Sequence, residues 1–95
     1  MDSILSLLGL IYRAKKMLLG ESVLEKINEV TYLFIANDAS DKTKERYLKK
    51  CSFYSIPYCL DYNCMELSRA IGKDNVKIIG ISDAGFTKSI IKKLH

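Results

Sequence analysis

Gly20 and Lys26, with Glu21, Ser22 and Glu25 between them, are the residues whose types and spacing suit chemistry on an anion. Met17, Leu18 and Leu19 read as a short apolar strand, and a helix follows, so Gly20 falls on the junction. A glycine has no Cβ, and another molecule's backbone can approach it closely. The free N–H groups and positive dipole end of a new helix attract phosphate, and Lys26 adds a mobile cation nearby. The pattern is common in α/β chains, so on its own Gly20 reads first as a tight turn and Lys26 equally as a solvated helix lysine. Its weight comes from the elements around it.

Those elements alternate. Ile4, Leu7, Leu8 and Ile11 recur at helical spacing and predict an amphipathic helix over residues 3–13. After the strand at 17–19, Val23, Leu24, Ile27 and Val30 give the next helix its buried stripe, and Ser22 with Glu25 forms a capping-box pattern. Thr31 to Ala36 is apolar almost throughout, as expected of a strand covered on both faces. The turn residues 37–41 lead into a helix over 41–54 that would bury Tyr47, Leu48, Cys51 and Tyr54. Its other side carries Lys42, Arg46, Lys49 and Lys50, which read first as a solvated face.

Pro57 introduces a strand over 58–60. Asn63 and Glu66 have cap and N3 spacing for a short helix bearing Cys64, Leu67 and Ile71, which Gly72 ends. A strand over 76–81 follows, and Asp83 caps a last helix burying Phe86, Ile90, Ile91 and Leu94. Strands alternating with helices predict an α/β fold, a single-domain three-layer α/β/α sandwich with a four-stranded mixed sheet. Ligands in such folds gather where strands run into helices. Tyr47, Tyr54 and Tyr58 are expected in the core.

The 95 residues suit one domain, residues 1–95, and 48% hydrophobic content supports a core. A net charge of +4 fits an anionic partner without specifying nucleic acid. The residues 4–11 are too short and too amphipathic for a signal peptide, and no apolar run is long enough to span a membrane. Cys51, Cys59 and Cys64 lack CxxC spacing and read as reduced, mostly buried thiols. A cytoplasmic protein without membrane association is expected. Catalysis has little to rest on. His95 is the only histidine and the last residue, and no Cys or His cluster has metal-ligand spacing. Walker, GxGxxG and GxSxG patterns are absent, so no enzyme, metal or cofactor is expected.

Five segments together carry a resemblance: Leu8 to Lys16 with Leu19-Gly20-Glu21; Ala36-Asn37-Asp38-Ala39-Ser40; Lys50 to Pro57; Leu67 to Lys73; and Ile81 to Phe86. In order and spacing the chain resembles the bacterial YlxQ-type proteins, small relatives of the kink-turn-binding ribosomal proteins (the L-seven-Ae family). The resemblance covers nearly the whole chain. It implies an α/β/α sandwich that binds kink-turn or ribosomal RNA, with translation as its setting and ribosomal proteins as further partners.

In that family RNA is held by a glycine-led helix start, the loop after the second strand and the loop before the last strand. Carried onto this chain, the resemblance implies RNA contacts at Gly20, Glu21, Ser22, Lys26, Ser40, Lys73 and Asn75. A small or hydrophobic residue in the last loop would shelter an extruded nucleotide. The chain departs from the family's helix start, where asparagine and glutamate are replaced by Ser22 and Val23. A bidentate base contact is worth about 1–3 kcal/mol, so weaker binding or a different preferred RNA is implied. The alternative is a protein-interaction module on the same fold that docks on a ribosomal or transcription factor. An accessory domain of an RNA methyltransferase is a third reading, with no catalytic half on the chain to support it.

Overall fold

The computed structural model describes residues 2–94, so His95 lies outside the described residues. Helix α1 spans Ser3–Arg13 and strand β1 Met17–Leu19; α2 is Glu21–Glu25, followed by one 3-10 turn at Ile27–Glu29. Then come β2 at Tyr32–Ile35, α3 at Asp41–Tyr54 and β3 at Tyr58–Cys59. The chain continues through α4 at Cys64–Ile71, β4 at Ile78–Ile81 and α5 at Ala84–Leu94.

The four strands form one mixed sheet in the order β1-β4-β2-β3. β4 runs antiparallel to both β1 and β2, with Leu33 opposite Gly80 and Leu18 opposite the same glycine. β2 and β3 are parallel. Successive side chains of a strand point to opposite faces, and the core divides accordingly. Tyr32, Phe34, Ile79 and Ile81 pack with Ile4, Leu8, Ile11, Leu67 and Ile90 of α1, α4 and α5. Leu33, Ile35 and Ile78 pack on the other face with Val23, Ile27, Tyr47 and Cys51. The result is the expected three-layer sandwich, with β2 buried on both sides.

Local signals explain most boundaries. The Asp2 carboxylate accepts from the N–H groups of Ile4 (2.7 Å) and Leu5 (3.3 Å), capping α1. Asn63 and Glu66 close a reciprocal capping box on α4, at 2.8 and 3.0 Å. Gly72 ends α4 in the left-handed region, at φ 71°. The Asp83 carboxylate accepts from the Phe86 N–H at 2.8 Å and starts α5.

Four expectations are corrected. The second helix stops at Glu25 rather than running to Val30; the 3-10 turn delivers Ile27 and Val30 to the core instead. Ser22 and Glu25 form no capping box, because Gly20 and not Ser22 occupies the N-cap. Tyr54 and Tyr58 are exposed: one ends α3, and the other lies on the edge strand β3. Ile91 is also exposed, on the outer side of α5.

Candidate nucleic-acid interface

Gly20 leaves β1 with its N–H donating to the Ile78 carbonyl at 3.3 Å. The backbone there sits at φ 53°, ψ −126°, a conformation for which glycine is suited. A Cβ built at Gly20 would meet nothing within 4 Å, so the hinge faces open space. Below it α2 is anchored by Val23, which is fully buried. Val23 approaches the sheet where Gly80 gives it room: a Cβ at Gly80 would lie 3.0 Å from the Val23 side chain.

The helix α3 supplies a second wall. Ser40 is its N-cap, and its hydroxyl oxygen accepts from the Thr43 N–H at 3.1 Å. Thr43, Arg46 and Tyr47 follow at spacings that put them on one side of the helix. Tyr47 is buried, and its hydroxyl donates to the Gly20 carbonyl at 3.2 Å. Burial and the nearby Glu21 carboxylate push that hydroxyl's pKa up, opposed by Arg46. It therefore stays a donor and ties the hinge to α3. Arg46 and Glu21 approach to 3.5 Å across the mouth. Both are well exposed, and such pairs contribute about 0–1 kcal/mol.

The third wall is the loop between α4 and β4. The Ser68 hydroxyl on α4 accepts from the buried Val76 N–H at 2.8 Å, and the Lys73 N–H donates to the Ser68 carbonyl at 3.0 Å. Asn75 adopts φ 56°, left-handed backbone that asparagine tolerates better than most residues. The Cys64 thiol lies 3.9 Å from the Asn75 side-chain oxygen. The Lys73 ammonium sits 5.8 Å from the centre of the Tyr12 ring. The loop is thus held to α4 at its root while its tip is exposed.

These walls enclose an open groove of about 400 Å³, lined by residues that include Gly20, Glu21, Thr43, Arg46, Lys73 and Asn75. Three cations (Arg46, Lys73, Lys77) stand there against two acids (Glu21, Asp74). Backbone, one guanidinium and two ammonium groups converge without any cluster able to hold a metal among the described residues. Such a surface can bind an anionic backbone and present small polar groups to whatever that backbone carries.

Of the seven expected positions, Gly20, Glu21, Lys73 and Asn75 meet in this groove. Ser22, on α2, and Lys26, the residue that caps its C-terminus, are exposed but do not line it. Ser40 does not line it either; its hydroxyl is engaged with Thr43. One physical expectation changes. With only five residues, α2 has a small dipole. Val23, which takes the position of the family's glutamate, is a core residue, as the buried stripe of this helix predicts. Sequence reasoning missed Thr43, Arg46, Tyr47 and Lys77; Asp74 falls inside the loop expected to contact RNA without being singled out. The signal available for three of them was their i, i+3 and i+4 spacing from Thr43, next to the Ser40 cap.

Three free thiols complete the inventory of reactive groups: Cys51 and Cys59 are buried and Cys64 is partly so. Burial pushes the Cys51 thiol up to about 11. No helix among the described residues is long and apolar enough to cross a membrane.

No family model matches the chain. It is 38% identical over 87 residues to the RNA-binding protein YlxQ of Enterococcus faecium, covering 88% of this chain and 84% of that protein. It is 33% identical over 91 residues to the RNA-binding protein YlxQ of Bacillus subtilis, covering 93% and 91%. Among solved structures, a protein of unknown function from Bacillus halodurans C superposes with a TM-score of 0.92 at 38% identity, covering 99% and 98% of the two chains. The Giardia lamblia 15.5kD RNA binding protein superposes with a TM-score of 0.79, covering 96% and 81%. At 17% identity, that likeness is one of fold. Conserved length, sequence identity above 30% and the shared architecture agree: the chain belongs to the YlxQ family of proteins.

Proposed function

We propose that this protein is a non-catalytic RNA-binding protein of the cytoplasm that recognises structured RNA bent in the manner of a kink-turn, in the setting of the ribosome or translation. The names of its YlxQ relatives support RNA as the partner. The observation that carries the reading is the convergence of three distant segments, at Gly20, at Arg46 and at Lys73 to Lys77, on one cationic groove. A duplex bent sharply toward its own backbone presents two phosphate strands to one small surface. That is the shape a groove with three separate walls can read, while a straight duplex would touch one wall at a time.

In this reading Lys73, Lys77 and Arg46 neutralise phosphates. The open space above Gly20 admits the RNA backbone, and the Asn75 amide reaches a base edge or sugar hydroxyl. Glu21 releases Arg46 as phosphate arrives. Ser22 on α2 and Lys26 just after it contact the outer strand, and Ser40 acts by holding the start of α3 in place. Free thiols suit a reducing cytoplasm. Ribosomal RNA and neighbouring ribosomal proteins are the natural partners of such a surface.

The test is a binding titration comparing a kink-turn duplex with the same duplex after its tandem G·A pairs are replaced by Watson–Crick pairs. Preference for the kink-turn by a factor of ten or more is expected, with affinity falling as salt rises. Equal binding to both would reduce the protein to a basic surface without shape selection.

A further inference from the structure

The outer face of α3 carries Lys42, Arg46, Lys49, Lys50 and Phe53 along one side of a 14-residue helix. From Lys42 to Phe53 the row is about 16 Å long at the helical rise. Arg46 belongs both to this face and to the groove, so the two surfaces are continuous. The face is one-signed apart from Glu45, which Lys49 approaches to 3.2 Å. Neither Lys42 nor Lys50 has an acid within ion-pair distance among the described residues.

Phe53 stands at the far end of the row and is 80% exposed. It packs edge-on against Tyr54, with ring centroids 4.9 Å apart and planes at 76°, which leaves a flat aromatic face in solvent. An exposed phenylalanine gains nothing from hydration, and beside lysines it suits a ligand that is both anionic and flat. A nucleotide strand has those two properties; an acidic peptide has only the first.

We infer that the outer face of α3 is a second RNA subsite: Lys42, Lys49 and Lys50 take phosphates of a strand leaving the groove past Arg46, and Phe53 stacks on an unpaired base of that strand. The inference rests on the reading of the groove as an RNA site and adds the requirement for an unpaired segment outside the bend. Stacking on a single aromatic ring changes affinity substantially and tolerates any base, so the subsite extends the footprint without a sequence code.

The experiment uses the full chain and two RNAs: a kink-turn duplex with blunt ends, and the same duplex with a short unpaired extension at either end. Phe53→Ala is expected to lower affinity for the extended RNA about tenfold and to leave the blunt RNA unchanged. Replacing Lys42, Lys49 and Lys50 together with Gln should lower the salt slope for the extended RNA by about two. All four side chains project from the protein surface, and circular dichroism verifies folding. If both variants bind the extended RNA as the parent protein does, the subsite is overturned while the groove reading stands. If the parent protein binds neither RNA, both fall. If Phe53→Ala converts a dimer to a monomer in sedimentation without changing RNA affinity, the face joins copies of the chain and the inference is overturned.

Discussion

Helices α2 and α4 begin on opposite faces of the sheet, and they begin in different ways. The α4 start obeys local rules. Asn63 enters in extended backbone at φ −92°, ψ 174°, its side chain accepts the Glu66 N–H, and Glu66 reaches back. The α2 start breaks them. Its N-cap is Gly20 at φ 53°, no side chain caps it, and the helix ends after five residues. Both stretches carry the same spacing of a short polar residue and a glutamate three positions on, Asn63 with Glu66 and Ser22 with Glu25. Only one becomes a capping box, since tertiary bonds from Ile78 and Tyr47 fix Gly20 two residues before Ser22. Places where local preference is overruled tend to be functional, and here that place borders the groove.

The contrast is sharpest at the two glycines. Gly20 and Gly72 both have positive φ, yet only Gly72, at φ 71° and ψ 31°, lies where asparagine is tolerated. Gly20→Asn should destabilise the fold by about 3 kcal/mol and Gly72→Asn by less than about 1 kcal/mol, read from urea midpoints. Equal losses would mean that Gly20 is an ordinary turn. Next in size is Ser68→Ala, which strands the buried Val76 N–H and should cost about 2 kcal/mol. It should also weaken RNA binding, through the loop that Ser68 roots. A stability loss with RNA affinity intact would detach that loop from the site.

The helix starts differ by a smaller margin. Asn63→Ala should lower stability by about 1 kcal/mol, whereas Ser22→Ala should stay within about 0.5 kcal/mol. Thermal melts of the two variants decide it, and a matching loss at Ser22 would restore the capping box denied here. The smallest effect belongs to Asp2, whose start of α1 follows the α4 pattern. Burial raises its carboxyl, but hydrogen bonds from the Tyr62 hydroxyl and the Ile4 and Leu5 N–H groups bring it below the usual 3.8. A depressed acid stabilises the fold above pH 3.8 and loses that contribution as pH falls through the lower folded value. Asp2→Asn keeps the cap and should flatten the acid limb of a stability–pH curve slightly, because the carboxyl is mostly exposed. An unchanged acid limb would remove Asp2 from the account.

The same contrast explains what could be read in advance. Leu33 to Ala36, the Asn63 cap, Gly72 and the Asp83 cap announce themselves within a few residues, so the sandwich and most of its boundaries were legible. Gly20 was legible as the glycine where a strand runs into a helix, and Lys73 and Asn75 through resemblance. Arg46, Thr43 and Lys77 were not, because what makes them neighbours is packing across more than twenty residues of chain. The seating of Val23 over Gly80 is another long-range fit that periodicity cannot register. Tyr54 and Tyr58 misled for the opposite reason: an aromatic type suggests burial, but a helix end and a sheet edge left them outside.

Backbone amide shifts recorded while a kink-turn RNA is added show whether the proposed groove between Gly20, Arg46 and Lys73 receives it. The largest changes are expected at Gly20 to Ser22, Thr43 to Arg46 and Lys73 to Lys77, with little change on the faces of α1 and α5. Changes concentrated on α1 and α5, with the groove silent, would overturn the proposed site.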